Sequence, residues 1–174
     1  MPQRGLTLLE LLLTLVVLSV LLSVGLPSLQ AQIERTRTLT LTQNLQTAMQ
    51  ATRQRAISRN GRATLRPLGS WESGWELFDD ANHNAQRDPG ETLVFSHQVD
   101  SDGVSIKGND RVDHYISYVG TGESRHATGT PRGGFLAGTI TLCSDSSGAH
   151  YKLVLARMGR VRREAIEADE CEGA

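Results

Sequence analysis

Little in this sequence could carry covalent chemistry. The histidines, His83, His97, His114, His126 and His150, are scattered, and none forms H-E-x-x-H or a comparable ligand spacing. No serine or cysteine sits in a nucleophile context such as G-x-S-x-G. There are only two cysteines, Cys143 and Cys171, and neither has a neighbour at C-x-x-C spacing, which argues against a zinc site. No enzyme, no catalytic residue and no cofactor is expected, and a lone histidine in such a chain reads as a surface or locally hydrogen-bonded group. Aromatics make up 5% of the residues. Trp71, Trp75, Phe78 and Phe95 are better placed as core than as a base-stacking platform, with an exposed Trp71 as the open exception.

Charge is also missing where the chain begins. From Leu6 to Leu29 the run is largely apolar and uncharged except for Glu10. These 24 residues reach ~36 Å as a helix, against a hydrocarbon core of roughly 30 Å. An isolated carboxylate in hydrocarbon costs roughly 2.5 to 3.5 kcal/mol on insertion scales, so Glu10 asks for a partner. A secretory signal is one reading, but the apolar stretch is longer than an h-region and no clean A-x-A site follows near "SLQAQIE". A plain single-span anchor explains the length and leaves Glu10 without a purpose.

The segment "RG-LTLLEL", with Pro27 downstream, resembles the N-terminus of type IV pilins and pseudopilins. The resemblance implies cleavage by a prepilin peptidase between Gly5 and Leu6, retention of the apolar helix, and N-methylation of Leu6. It places Glu10 at the fifth mature residue, where the family's assembly glutamate pairs with the N-terminal amine of a neighbouring subunit. Leu6 departs from the usual phenylalanine, a conservative change at a membrane face.

Beyond Pro27, Ile33, Leu41, Leu45, Ala48, Met49 and Ala56 recur at helical spacing, while arginines, glutamines and threonines fill the other faces. The helix is expected to continue to "SRNGR", where Asn60 and Gly61 stop it, with a kink at Pro27. After Gly61, "ATLRPL", "GWELF", "TLVFS", "VSIKG", "YISYV", "FLAGTITLC" and "YKLVLAR" are strand-length runs separated by turn formers. The expected fold is α+β, a long N-terminal helix, transmembrane then amphipathic, packed on an antiparallel β-sheet head. Its segments are a leader at 1–5, an assembly helix at 6–29, an amphipathic helix at 30–60, and a β-rich head at 61–174 with a C-terminal hairpin and tail. This order, with "GWELFDDANHNAQRDPGE" early in the head and a C-terminal "GRVR", resembles minor pilins and pseudopilins of the FimT and GspH type, the FimT type above all.

The near-neutral total, −1, hides an uneven distribution. Between Gln30 and Arg66 stand Arg35, Arg37, Arg53, Arg55, Arg59, Arg62 and Arg66 against Glu34 alone, whereas Pro67 to Asp100 holds seven acids and only Arg87. Cys143 and Cys171 lie in the part expected outside the cytoplasm and are expected to pair; closing 28 positions contributes roughly 3 to 4 kcal/mol in the chain-entropy model.

Two stretches could bind something. In "DANHNAQRDPGE", Asp80, Asn82, Asn84, Gln86, Asp88 and Glu91 fall at the ligand positions of an EF-hand-like calcium loop. Ala85 stands where glycine is expected, however, and the flanks read as strands, so a hairpin loop whose Asx side chains bond their own backbone is the expectation and calcium its rival. In "YKLVLARMGRVRRE", two strands joined at Met158 and Gly159 present Lys152, Arg157, Arg160, Arg162 and Arg163, with Arg160 and Arg162 on one face and Arg163 on the other. Arginine forks match phosphate oxygens, and a cluster gives salt-dependent, sequence-independent binding. Gly159, Arg160, Val161 and Arg162 match the "G-R-x-R" motif that FimT-type pilins of naturally competent bacteria associate with DNA capture. The resemblance therefore implies Arg160 and Arg162 as phosphate contacts, supported by Arg163, Arg157 and Lys152. Glu164, Glu167, Asp169, Glu170 and Glu172 follow at once and could neutralise them.

The expected role is a minor type IV pilin, anchored in the inner membrane with its head outside the cytoplasm and then built into a surface pilus. Its expected partners are other pilins, the prepilin peptidase and double-stranded DNA taken up in natural transformation. The alternative is a purely structural subunit, a pilus-initiating minor pilin or a type II secretion pseudopilin, without DNA binding.

Overall fold

A computed structural model of the chain describes residues 8–131, 133–145 and 149–172. One helix, α1 (Leu8–Arg59), runs for 52 residues and continues through position 27. Its apolar first half is long enough to cross a membrane, and none of that stretch is covered by the rest of the chain. It ends as expected: Asn60 takes a left-handed conformation, φ 47°, and the Gly61 and Asn60 amides donate to the carbonyls of Ala56 and Ile57 (both 3.1 Å). This is a Schellman stop with asparagine in the position glycine usually holds.

Eight strands follow: β1 (Ala63–Leu68), β2 (Ser70–Asp79), β3 (Leu93–Gln98), β4 (Val104–Gly108), β5 (Ile116–Tyr118), β6 (Gly138–Ser144), β7 (His150–Leu155) and β8 (Val161–Ile166), then a single helical turn, α2 (Asp169–Glu172). They form two antiparallel sheets rather than one, ordered β3-β2-β1-β5 and β4-β6-β7-β8. Pro67 sits in the inner strand β1 without breaking the sheet, because β5 pairs only with residues 63–65 and β1 bulges just after the proline.

The second half of α1 packs on both sheets. Leu41, Leu45, Ala48, Met49 and Ala56 are buried against Leu65, Trp71, Trp75, Leu77, Ile116, Ile140, Leu142 and Leu153. Trp71 is core, and its indole N–H donates to the Val112 carbonyl (3.1 Å), which closes the question of its exposure.

Two expectations about this face need correction. Ile33 is 54% exposed, because the head reaches down only to about Arg37, whose guanidinium donates to the Asp102 carbonyl (2.9 Å) in the β3–β4 turn. Thr38, Thr42 and Thr52, expected on the polar faces, are fully buried. Their hydroxyls donate to the carbonyls four residues back, at 3.1, 2.7 and 2.7 Å, so each presents a methyl to the core with its polar atom already satisfied.

Candidate functional site

The β7–β8 hairpin is built as its sequence implies. Val154 faces Arg162, Lys152 faces Glu164 and Leu153 faces Arg163, so Arg162 and Arg163 lie on opposite faces. At the turn, Gly159 N–H donates to Ala156 (2.8 Å) and Ala156 N–H to Arg160 (2.9 Å). Gly159 has φ 77°, and a Cβ there would collide with the Gly122 carbonyl oxygen, so the glycine of G-R-x-R has a packing reason of its own.

The turn is clamped from below. Arg53 of α1 donates to the carbonyls of Gly122 (2.9 Å) and Met158 (3.3 Å). The buried Ser124 hydroxyl lies between the carbonyls of Leu136 (2.7 Å) and Ala156 (3.0 Å), and its N–H donates to Arg157 (3.3 Å).

The five cations divide into two groups. Lys152 Nζ meets Glu170 at 2.6 Å and Glu164 at 3.6 Å, and the Glu170 hydrogen bond raises its pKa. Arg162 Nε donates to Glu164 at 2.7 Å. Arg157 and Arg160 are exposed at the turn and form no ion pair among the described residues, while Arg163 lies over the Tyr151 ring at 5.9 Å. Cys143 and Cys171 are disulfide-bonded, with a Cα separation of 6.1 Å, and this bond seats α2 so that Glu170 reaches Lys152. The acidic tail thus covers the open end of the hairpin and leaves its turn uncovered. His150 lies beside the two sulfurs, but their mutual bond leaves no thiolate to hold a metal.

Most of the basic stem is engaged by the protein's own acceptors. Arg55 grips Asp79 bidentately (2.8 and 2.7 Å), Arg59 approaches the same carboxylate (3.7 Å), and Arg66 lies 3.6 Å from Glu76. Arg62 is buried, donating to Ser117 Oγ (2.7 Å), His83 Nδ1 (3.1 Å) and the carbonyls of Arg125 (3.1 Å) and Thr130 (3.4 Å).

The Asp80–Glu91 loop is closed on itself. The fully buried Asp80 carboxylate accepts from Thr64 Oγ1 (2.9 Å), Asn84 N–H (3.0 Å) and Ala85 N–H (3.1 Å). Asn82 and Asn84 donate their side-chain amides to Asp88 Oδ2 (2.7 and 2.8 Å), which holds that carboxyl below its usual range. Glu91 accepts from the Ala81 and Asp88 amides (2.8 and 3.0 Å), and Gln86 N–H donates to Asn84 Oδ1 (2.7 Å). Ala85 adopts φ 58°, the conformation glycine would take at that position of a calcium loop. A cation would have to displace these internal donors from the oxygens it needs.

Of the processing and assembly residues, Gly5 and Leu6 lie outside the described residues, and Glu10 occupies the first turn of α1 on its exposed surface. Sequence reasoning missed Arg53, Gly122, Ser124 and Phe135, which position or flank the hairpin turn. The 119–136 segment carries no periodic pattern, and their roles come from contacts made across the chain.

A long N-terminal helix whose distal half packs on antiparallel sheets is the architecture of a pilin-like filament subunit. Residues 41–159 match the family model for the type II transport protein GspH, and residues 1–26 match the prokaryotic N-terminal methylation motif. The chain belongs to the GspH family, among the type IV minor pilins and pseudopilins, a family of structural subunits rather than enzymes. It is 35% identical over 165 residues to the pilin-like protein PilA1 of Thermus thermophilus, covering 94% of this chain and all of that one. The fold is shared with the type IV minor pilin FimU of Pseudomonas aeruginosa in two crystal forms. The TM-scores are 0.59 and 0.56 at 16% identity, covering 76% and 74% of this chain and 95% and 96% of FimU.

Proposed function

We propose that this chain is a FimT-type minor pilin that enters a type IV pilus and captures double-stranded DNA for natural transformation through the turn of its C-terminal hairpin. Cleavage between Gly5 and Leu6 and methylation of Leu6 leave residues 6–29 as the inner-membrane and filament helix, with the rest of the chain outside the cytoplasm. Glu10 then meets the new amino terminus of the adjoining subunit, as the family's assembly glutamate does. The DNA reading is carried by one observation: Arg157 and Arg160 stand exposed, without carboxylate partners among the described residues, on a turn held rigid by Gly159, Arg53 and Ser124.

The ion pairs rank the arginines. A phosphate competes with Glu164 for Arg162, but no carboxylate among the described residues competes for Arg160. In gel shifts with the full chain in a non-ionic detergent, Arg157→Gln with Arg160→Gln should weaken duplex binding and flatten its log-log salt slope by about 2. Arg162→Gln alone should do less. Undiminished binding in the double variant removes these arginines from the interface.

The second reading, a structural subunit of a pilus or a type II secretion pseudopilus that contacts only other pilins, is favoured by the Lys152–Glu170 and Arg162–Glu164 pairs, which neutralise two of the five cations of the basic hairpin. Absence of any binding at low salt would establish it over the first.

A further inference from the structure

The Ser124 segment that holds the hairpin turn also carries an exposed aromatic ring on its other side. Phe135 is 43% exposed, a large apolar ring left facing solvent in a head that buries both its tryptophans. It is also held still. The Arg125 guanidinium lies 4.3 Å from the ring centroid, and that guanidinium is itself locked, donating to Glu123 Oε2 through Nε and Nη2 (3.0 and 2.9 Å) and to the Gly133 carbonyl through Nη1 (3.0 Å). Residues 125 and 135 form an antiparallel bridge. The next residues along, Ser124 and Leu136, bond each other (Leu136 N–H to Ser124, 2.9 Å), and Ser124 also bonds the Arg157 carbonyl (3.3 Å). Phe135 and the open arginines therefore share one rigid end of the head.

We infer that Phe135 is a stacking platform for an unpaired nucleobase, so that the hairpin end, while holding duplex through its arginines, grips frayed or single-stranded stretches of that DNA more tightly. A base has a π-face of its own and stacks on an aromatic ring whatever its identity, while cations alongside hold the strand's phosphates. Inside a duplex both faces of every base are already stacked, and Phe135 has nothing to take. With Arg125 fixed beneath one face, the ring loses little freedom when a base covers the other. Glu123 neutralises Arg125, and three of its five N–H groups are already donated to Glu123 and Gly133, so it has little to offer a phosphate. The phosphates fall to Arg157 and Arg160, so the inference rests on the nucleic-acid reading above.

The test measures fluorescence anisotropy of the full chain in non-ionic detergent with two labelled probes, a single-stranded oligonucleotide and a covalently closed circular duplex. The proteins are wild type, Phe135→Ala, Phe135→Leu, Phe135→Trp, and Arg157→Gln with Arg160→Gln. Wild type should favour the single strand. Phe135→Ala and Phe135→Leu should each weaken single-strand binding about tenfold, the loss expected for one base–aromatic stack, with duplex binding and salt slope unchanged. Phe135→Trp should retain affinity, and the introduced indole, the one exposed tryptophan among the described residues, should be quenched by the single strand. The arginine pair should weaken both probes. Equal binding of both probes by wild type, an unchanged Phe135→Ala, or a Phe135→Leu that binds like wild type overturns the stacking platform while leaving the arginine reading intact. Failure of wild type to bind either probe overturns both.

Discussion

The arginines of the stem and those of the hairpin are the same residue serving opposite ends. Arg62, just before β1, is buried with four acceptors within 3.4 Å, and Arg55 is locked onto Asp79. Arg157 and Arg160 sit on an exposed turn without an ion pair among the described residues. The stem holds more cations than the hairpin, seven against five, yet most of them are already engaged by acceptors of the chain itself. Charge density along a chain reports where cations begin, and the acceptors that the fold brings up decide whether they remain available.

Removing Arg62 gives the sharpest test of this contrast. Arg62→Met strands acceptors on β5, in the 80–91 loop and in the segment between β5 and β6, and should lower stability by about 3 kcal/mol or more in denaturant titration of the full chain, the range for breaking a buried charged network. Arg160→Met should leave stability within about 0.5 kcal/mol of wild type, as for surface substitutions generally. Equal effects would erase the distinction between the two regions.

The disulfide is next in size. Cys143→Ser with Cys171→Ser should cost roughly 3 kcal/mol in thermal unfolding, since the bridge closes 28 positions. It should also free α2, and with it Glu170 from Lys152, so stability falls while low-salt DNA binding rises. A variant that loses stability without any gain in binding would show that the tail does not screen the hairpin.

The Arg55–Asp79 pair is smaller and is marked by its pH dependence. Hydrogen bonds from Arg55 hold the Asp79 carboxyl below its usual range. Because the folded pKa is the lower one, the contribution is complete above the unfolded value of about 4 and fades as pH falls through the folded value. Asp79→Asn should therefore cost about 1 kcal/mol at pH 7, with the difference from wild type closing below about pH 4. A gap that persists at low pH would assign the loss to packing.

The smallest effect belongs to the tail itself. Glu164→Gln with Glu170→Gln releases Arg162 and Lys152 without touching the disulfide, and should steepen the salt slope of DNA binding by up to about 2 with little change in stability. An unaltered slope would leave the exposed turn as the whole interface.

Much of the fold could be read from residue order. The apolar run with Glu10, the Asn60–Gly61 stop and the short strand-length runs each depend on neighbours within a few positions, which is the range over which propensity and periodicity act. Thr38, Thr42 and Thr52 escaped that reading because a threonine that bonds its own helix presents a methyl to the core, and periodicity counts it as polar. The split into two sheets escaped it as well, since the strand pairings that define them join residues far apart in the chain.

By itself, then, the sequence determined the anchor, the pilin-like start, the α+β order and the presence of a basic hairpin, all properties of contiguous residues. Tertiary structure alone decided which cations stay open, that Gly159 must be glycine beneath Gly122, and that Phe135 is tied through Ser124 to the end of the head that carries the turn. Each of these depends on an acceptor, a carbonyl or a ring supplied from tens of residues away, and no local pattern encodes what will be folded against it.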